Sequence, residues 1–168
     1  MPIVNRVAAL SDEMAAWRHD FHENPELLYE VHRTAGIVAD KLREFGCDEV
    51  VTGIGRTGVV GVIRRGASAR AIMLRADMDA LPIHEATNLT YRSRHAGRMH
   101  ACGHDMHTTA LLGACALLDA SRSSWSGTFL ALFQPAEESS VGAKDMLADN
   151  LIERVPRPDI CLGQHIMP

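Results

Sequence analysis

The sequence predicts an α/β domain in which a mixed sheet is flanked by helices. Short apolar runs rich in β-branched residues alternate with longer segments whose apolar residues recur every three or four positions. Three of the apolar runs end directly in polar side chains, as strands do at the ligand-binding edge of open α/β sheets. Of the 168 residues, 46% are hydrophobic and 23% are charged, which is ordinary for a globular protein and supports a single domain.

The first half of the chain is predicted to form two helices and then three strands. Two segments carry apolar side chains at helical spacing, and the patterns stop before Pro25 and at Gly46. Three apolar runs separated by glycine-containing turns predict strands. The helices are predicted over 4–22 and 34–45, and the strands over 49–52, 59–63 and 71–76.

The second half alternates helices with strands. An alanine- and leucine-rich segment predicts a helix over 108–120, and the apolar run at 127–133 predicts a strand. A short helix over 142–151 and a proline-bounded connector precede a last strand over 159–163. This alternation is typical of α/β proteins.

The glycines within residues 53–58 match the GxGxxG fingerprint of dinucleotide-binding proteins. That fingerprint requires a helix to begin at its third glycine, so that the helix N-terminus can hold the pyrophosphate. Residues 59–63 are β-branched and predict a strand instead. A β-hairpin turn is therefore the better interpretation.

Charge and composition exclude several classes of partner. The formal net charge of −4 argues against a phosphate-backbone partner, so we expect no nucleic acid. No apolar run approaches the roughly 20 residues that span a bilayer, and the N-terminus lacks the pattern of a signal peptide. The four cysteines are scattered without close pairing, which favours free thiols in a reducing compartment. We therefore expect a cytoplasmic protein without a membrane partner.

Residues 99–107 hold the densest set of metal-binding side chains. They include His100, Cys102, His104, Asp105 and His107. Imidazole, thiolate and carboxylate groups bind zinc and its neighbours among the transition metals, and a turn at a glycine can aim several of them at one point. The alternative is a buried thiol beside surface histidines, so other segments must decide.

Three predicted strands deliver further metal-competent side chains. In chain order the strands are followed by Asp77 and Asp79, by Glu137 and Glu138, and by Gln164 and His165. Consecutive residues on an extended segment point in opposite directions, so we expect different roles for the two glutamates. The alternatives are a solvated acidic pair for the glutamates and turn or cap positions for the aspartates.

Four motifs, at residues 75–82, 100–107, 133–138 and 163–168, occur in an order that resembles the metal-dependent N-acyl-amino-acid amidohydrolases. This family includes the hippurate hydrolases and the hydrolases of indole-acetic acid conjugates. The segment 17–27 also resembles the family, so the resemblance covers essentially the whole chain. Ser139 and Ser140 depart from the pattern, because the family more often has glycine after the glutamate pair.

The resemblance implies a zinc-exopeptidase-like catalytic domain that hydrolyses the amide bond of N-acyl amino acids with metal-activated water. It assigns the metal ligands to Cys102, His104, Glu138 and His165, and the general base to Glu137. It implies two divalent ions, and the mixed donor set leaves zinc, manganese, cobalt and nickel open. Metal-bound histidines commonly donate their second N–H to a carboxylate, so we expect Asp77 and Asp79 to support the ligands, with a direct ligand role left open.

Other polar residues are expected to play smaller parts. His107 and Asp105 are predicted to cap the following helix or to support the ligands, and Arg75 is a candidate partner for a site carboxylate. Five histidines show no converging partners in the sequence and are predicted to be ordinary surface or core residues. They are His19, His22, His32, His84 and His95.

The resemblance also implies that residues 1–168 are the N-terminal portion of the catalytic domain, without the lid and dimerisation domain or the C-terminal return of the chain, which brings one further histidine ligand. For the full-length family we expect a homo-oligomer that acts on a small-molecule substrate. Two interpretations stay open: part of a binuclear amidohydrolase, or a noncatalytic remnant that binds metal weakly or needs a second chain. We expect the isolated chain to be inactive and self-associating, because uncovered apolar faces favour association.

Overall fold

Two helices lead into the sheet in the computed structural model, which describes residues 3–166. Helix α1 spans Ile3–Glu23 and helix α2 spans His32–Glu44, so both predicted helices are confirmed. Helix α2 begins two residues before its apolar pattern does. The Glu26 carboxylate accepts hydrogen bonds from the backbone N–H groups of Arg33 and Thr34, at 3.0 and 2.7 Å. These bonds satisfy donors that the first turn of a helix leaves free.

In the part of the chain that the structure describes, five strands form one mixed sheet, as the sequence predicts. They are β1 (Glu49–Ile54), β2 (Gly58–Arg65), β3 (Ala71–Asp77), β4 (Gly127–Gln134) and β5 (Ile160–Gly163). Their order across the sheet is β1-β2-β4-β3-β5. Strand β2 is antiparallel to β1 and β4, whereas β3 is parallel to β4 and β5. The three parallel strands therefore end at the same edge of the sheet.

The helices of the second half differ from the prediction at two places. Helix α3 spans His104–Ala120 and begins four residues earlier than predicted, because Gly103 takes the left-handed conformation (φ 82°) directly before it. The helix predicted over 142–151 is in fact two, α4 (Gly142–Ala148) and α5 (Leu151–Arg154). Asn150 separates them at φ 59°, a left-handed conformation that asparagine tolerates better than most residues.

Two apolar clusters lie on opposite faces of the sheet. One joins Phe21 and Leu112 of α1 and α3 with Phe133 of β4. The other joins Leu130 of β4 with Met146 of α4. Successive residues of β4 alternate between the clusters, because side chains of a strand point to alternate faces. Strand β4 is therefore buried on both faces, and its C-terminal end lies between the two apolar clusters.

The glycine-rich segment between β1 and β2 is a hairpin turn, as predicted. The two strands pair antiparallel, and β2 begins at Gly58. A Cβ atom at Gly55 would lie 2.8 Å from the backbone nitrogen of Met146, so this glycine allows the turn to approach α4. The four cysteines are free thiols, which agrees with the sequence-based expectation. Within residues 3–166, no helix has the length and apolarity needed to cross a bilayer.

Candidate metal centre

The edge where β3, β4 and β5 end meets the first turn of α3. Gly103 separates Cys102 from His104, and its carbonyl oxygen accepts the backbone N–H groups of Met106 and His107 at 3.0 and 3.2 Å. A Cβ atom at Gly103 would lie 2.4 Å from the Cδ1 atom of Ile166. The glycine therefore allows a tight turn that places the thiol and the imidazole beside the end of β5.

His104 lies at the centre of the site and is fully buried. Its Nδ1 atom lies 2.7 Å from the main-chain oxygen of Asp79, so Nδ1 donates to a carbonyl, and in the neutral imidazole Nε2 is the unprotonated nitrogen. The Nε2 atom has no hydrogen-bond partner among the described residues. It faces carboxylate oxygens of Asp77, Glu137 and Glu138 at 3.6, 3.7 and 3.9 Å.

Among the described residues, three groups of side chains bring potential ligand atoms within 4.8 Å of one another, and His104 belongs to all of them. The groups are Cys102 with His104 and His165, Asp77 with His104 and His107, and His104 with Glu137 and Glu138. The Sγ atom of Cys102 lies 3.3 Å from Nε2 of His165. Six of the seven predicted site residues therefore lie in these groups together with His107, and the seventh, Asp79, bonds His104 through its main-chain oxygen.

These residues fit divalent metal ions. Buried polar atoms are almost always hydrogen-bonded, yet the Nε2 atom of His104 and the Oε1 atom of Glu138 have no partner within residues 3–166. Both atoms are good metal donors, and a thiol and further imidazoles lie beside them. A site that holds this many donors with so few mutual hydrogen bonds is suited to a cation.

Negative charge is concentrated around this imidazole. Burial acts to lower the pKa of His104, but its bond to Asp79 and the charge of Asp77 outweigh burial and raise the pKa above 6.5. Burial also raises the pKa of Glu138. Burial and the neighbouring Glu138 carboxylate raise the pKa of the Cys102 thiol to about 11. The carboxylates therefore disfavour further negative charge where no cation is bound.

Asp79 holds the segment that follows β4. One of its carboxylate oxygens accepts the backbone N–H of Glu137 at 3.0 Å, and the other accepts that of Glu138 at 3.1 Å. Its main-chain oxygen also orients His104. Asp79 is completely buried, so each of these bonds satisfies a group that has little access to water. A single residue thus fixes both glutamates and the central histidine.

Replacement of Asp79 by asparagine should lower the free energy of unfolding of the metal-free full-length natural protein by about 1–3 kcal/mol. Asparagine offers one oxygen in place of two, so one of the two buried backbone N–H groups loses its acceptor. Urea unfolding followed by circular dichroism measures the change. Asp12→Asn removes the same charge from an exposed position on α1 and serves as the control. Equal unfolding free energies for the two variants would contradict this role of Asp79.

The two glutamates do not point in opposite directions, and that expectation from the sequence is wrong. Residues 137–140 form a turn in which the N–H of Ser140 bonds the carbonyl oxygen of Glu137 at 2.7 Å, so the alternation of an extended strand does not apply. Both side chains approach His104. They differ in exposure, since the Glu137 side chain is 36% exposed and that of Glu138 is 18% exposed.

Asp77 connects the site to the sheet. Its Oδ2 atom accepts a hydrogen bond from Nη1 of Arg75 at 2.6 Å, so Arg75 does pair with a site carboxylate. Its Oδ1 atom lies 2.6 Å from Nδ1 of His107. Burial acts to raise the pKa of Asp77, but the bond from His107 and the charges of His104 and Arg75 lower it overall. Asp77 is therefore held as a carboxylate between two histidines and an arginine.

His22 is a core histidine with two carboxylate partners, so the sequence-based expectation that it has no converging partners is wrong. It is buried, with Nδ1 2.8 Å from Oδ2 of Asp105 and Nε2 3.2 Å from Oε1 of Glu85. Asp105 bonds residues of α1 instead of the groups around His104. The sequence missed this cluster because His22 and Asp105 lie 83 positions apart, although Asp105 sits in the dense segment 99–107.

Comparison with known proteins agrees with these features. The model of peptidase family M20/M25/M40 matches residues 73–168. The chain is 48% identical to a hippurate hydrolase of Campylobacter jejuni, over all of this chain and 43% of that protein. It is 41% identical to an N-acetyl-L-cysteine deacetylase of Bacillus subtilis, over 96% of this chain and 38% of that protein.

The fold is also similar to that of a solved structure. A Bacillus subtilis protein described as a dinuclear metal-binding peptidase of the M20 family superposes with a TM-score of 0.88 and 36% identity, over 96% of this chain and 44% of the other. The chain thus spans less than half the length of each of these proteins. Fold and sequence point to the same group of proteins.

Proposed function

The chain belongs to peptidase family M20/M25/M40, and on this basis we propose that its site serves the metal-dependent hydrolysis of the amide bond of N-acyl amino acids. The observation that carries the proposal is the buried Nε2 atom of His104, which has no hydrogen-bond partner within residues 3–166 and faces three carboxylates at 3.6–3.9 Å. The two relatives named above support the substrate class, since hippurate and N-acetylcysteine are both N-acyl amino acids.

We assign the metal ligands to Cys102, His104, Glu138 and His165. Two ions are proposed, because donors surround His104 in three overlapping groups and the similar Bacillus subtilis protein is described as dinuclear. Bound divalent ions supply Lewis-acid polarisation of the scissile carbonyl and favour deprotonation of a water molecule. Zinc, manganese, cobalt and nickel all suit this donor set.

Glu137 is proposed as the general base. Its side chain is twice as exposed as that of Glu138, so water and substrate have access to its carboxylate. Asp79 fixes its backbone, and thereby limits where the carboxylate can reach. A carboxylate in this place can accept a proton from the attacking water and pass it to the leaving amine, which is the proton transfer that amide hydrolysis requires.

The proposal is tested with the full-length natural protein and with the 168-residue chain. Hydrolysis of hippurate and acetyl-methionine is followed with added zinc, manganese or cobalt, and a Co²⁺ titration measures metal binding. Metal-dependent release of the free amino acid by the full-length protein is expected. Metal binding without hydrolysis would favour the noncatalytic interpretation, and no metal binding would refute the proposed site. The placement of residues 1–168 in a larger catalytic domain, the homo-oligomer and the cytoplasmic location stay predictions.

Replacement of Cys102 by serine should lower the metal content and the activity of the full-length protein together. A neutral hydroxyl does not replace a thiolate on a borderline-soft ion. Elemental analysis and the hydrolysis assay measure the two effects. Cys161→Ser changes an exposed cysteine on β5 and serves as the control. Normal metal content in Cys102→Ser, with only a small loss of stability, would identify Cys102 as a structural thiol.

A further inference from the structure

The segment 17–27 also resembles the amidohydrolase family, yet the proposed function assigns it no role. Within it, Arg18 and His22 lie one helical turn apart on α1 and reach the same oxygen atom. Oδ2 of Asp105 accepts from Nε of Arg18 at 3.1 Å and from Nδ1 of His22 at 2.8 Å. The Asp105 side chain is 1% exposed. Charge-assisted bonds to a buried carboxylate are strong and directional, so they fix Asp105 in place.

Asp105 is the neighbour of His104 in the first turn of α3. Successive helical residues point about 100° apart, so Asp105 faces α1 while His104 faces the sheet edge. Any rotation of this turn about the helix axis would move both side chains together. The bonds from Arg18 and His22 therefore also fix the direction of His104. Within residues 3–166, neither Arg18 nor His22 belongs to the groups around Nε2 of His104, so both act on the His104 side chain through Asp105.

His22 also holds the segment that leads into Cys102. Its Nε2 atom lies 3.2 Å from Oε1 of Glu85, whose other oxygen accepts the backbone N–H of Ser93 at 2.6 Å. The ends of this segment pair through reciprocal backbone bonds between Leu81 and Met99, both at 3.0 Å. Cys102 follows three residues after Met99. The His22 imidazole thus bonds Glu85, in the segment that precedes the turn of Cys102 and His104, and Asp105, directly after that turn.

We propose that Arg18 and His22 are positioning residues of the metal centre, which through Asp105 and Glu85 hold Cys102 and His104 in the arrangement that binds metal. The inference rests on the proposed function, since it presumes that these two residues are ligands. The segment 17–27 then has a role at the metal centre, although it contributes no ligand.

The test is a Co²⁺ titration of the metal-free full-length natural protein, followed by the charge-transfer absorption of cobalt bound to the Cys102 thiolate. His22→Ala and Arg18→Ala should each weaken Co²⁺ binding by about tenfold or more, as is usual when groups that orient metal ligands are removed. His22→Gln should recover part of the loss, because its amide still donates one hydrogen bond. His19→Ala is the matched control. His19 also lies on α1 and stacks on Tyr91, with ring centroids 3.8 Å apart, but among the described residues it makes no hydrogen bond to Asp105.

Urea unfolding of each metal-free variant separates positioning from stability. A merely structural role would lower the free energy of unfolding and leave the Co²⁺ dissociation constant of the folded full-length protein unchanged. If His22→Ala does not fold, Arg18→Ala decides, because the Arg18 side chain is 30% exposed and its loss is better tolerated. Dissociation constants within twofold of wild type would overturn this inference and leave the proposed function standing. No Co²⁺ binding by the wild-type full-length protein would overturn both.

Discussion

Glu137→Gln should leave the metal content of the full-length natural protein unchanged and lower kcat for hippurate by about a hundredfold or more, the usual effect of removing a general base. Glutamine keeps the size and the hydrogen-bonding capacity of the side chain, but it does not accept a proton. The backbone N–H of residue 137 still binds Asp79, so the turn keeps its shape. Elemental analysis and steady-state kinetics measure the two quantities.

Glu138→Gln is the matched comparison for this variant. Asp79 holds both residues in the same way, so any effect of the turn itself is shared. The Oε1 atom of Glu138 is buried without a hydrogen-bond partner among the described residues. We therefore expect Glu138→Gln to lose metal, and its activity to fall with the metal. Equal loss of metal in both variants would show that the roles of the two glutamates are divided wrongly.

His104→Ala should remove bound metal and hydrolysis together. Within residues 3–166, His104 belongs to all three groups of potential ligands, so its loss leaves each group with two members. Inductively coupled plasma analysis of the purified variant gives the metal content, and hippurate hydrolysis gives the activity. Circular dichroism checks that the variant folds, and His104→Gln provides a larger replacement if the alanine variant does not.

His84→Ala is the control for this experiment. His84 is exposed and belongs to none of the three groups. It should keep the metal content and the activity of the wild type. A His104→Ala variant that binds metal in the wild-type ratio would show that the donors around Nε2 do not form the metal site.

The sheet could be predicted from the sequence because its signals are local. Apolar runs, glycine turns and helical periodicity are all contained within a few residues. The predicted helix starts are wrong where a group outside the helix determines its first residue. Helix α2 starts early because the Glu26 carboxylate supplies acceptors for its first turn. Helix α3 starts early because Gly103 adopts a left-handed conformation against Ile166, 63 positions further along the chain.

The candidate site was predictable as a set of residues but not as an arrangement. The polar residues that follow β3, β4 and β5 indicated which carboxylates and histidines would lie together, since parallel strands end at the same edge of the sheet. The direction of the glutamates depended on two backbone bonds to Asp79, which no local pattern reveals. The part played by His22 depended on Asp105 and Glu85, both far away in the chain. The side-chain directions at the site are therefore set by long-range hydrogen bonds, which the periodicity of the sequence does not reveal.

The position of β4 between β2 and β3 has a consequence for the order of folding. Strands β1 and β2 form a hairpin and can pair as soon as both are synthesised. Strand β3 ends at Asp77, but both of its neighbours, β4 and β5, come later, and β4 begins only at Gly127. Pairings of such long sequence separation form slowly, and unpaired apolar strands invite misassembly in the meantime. We therefore expect the arrival of β4 to limit the rate at which this sheet assembles on the ribosome.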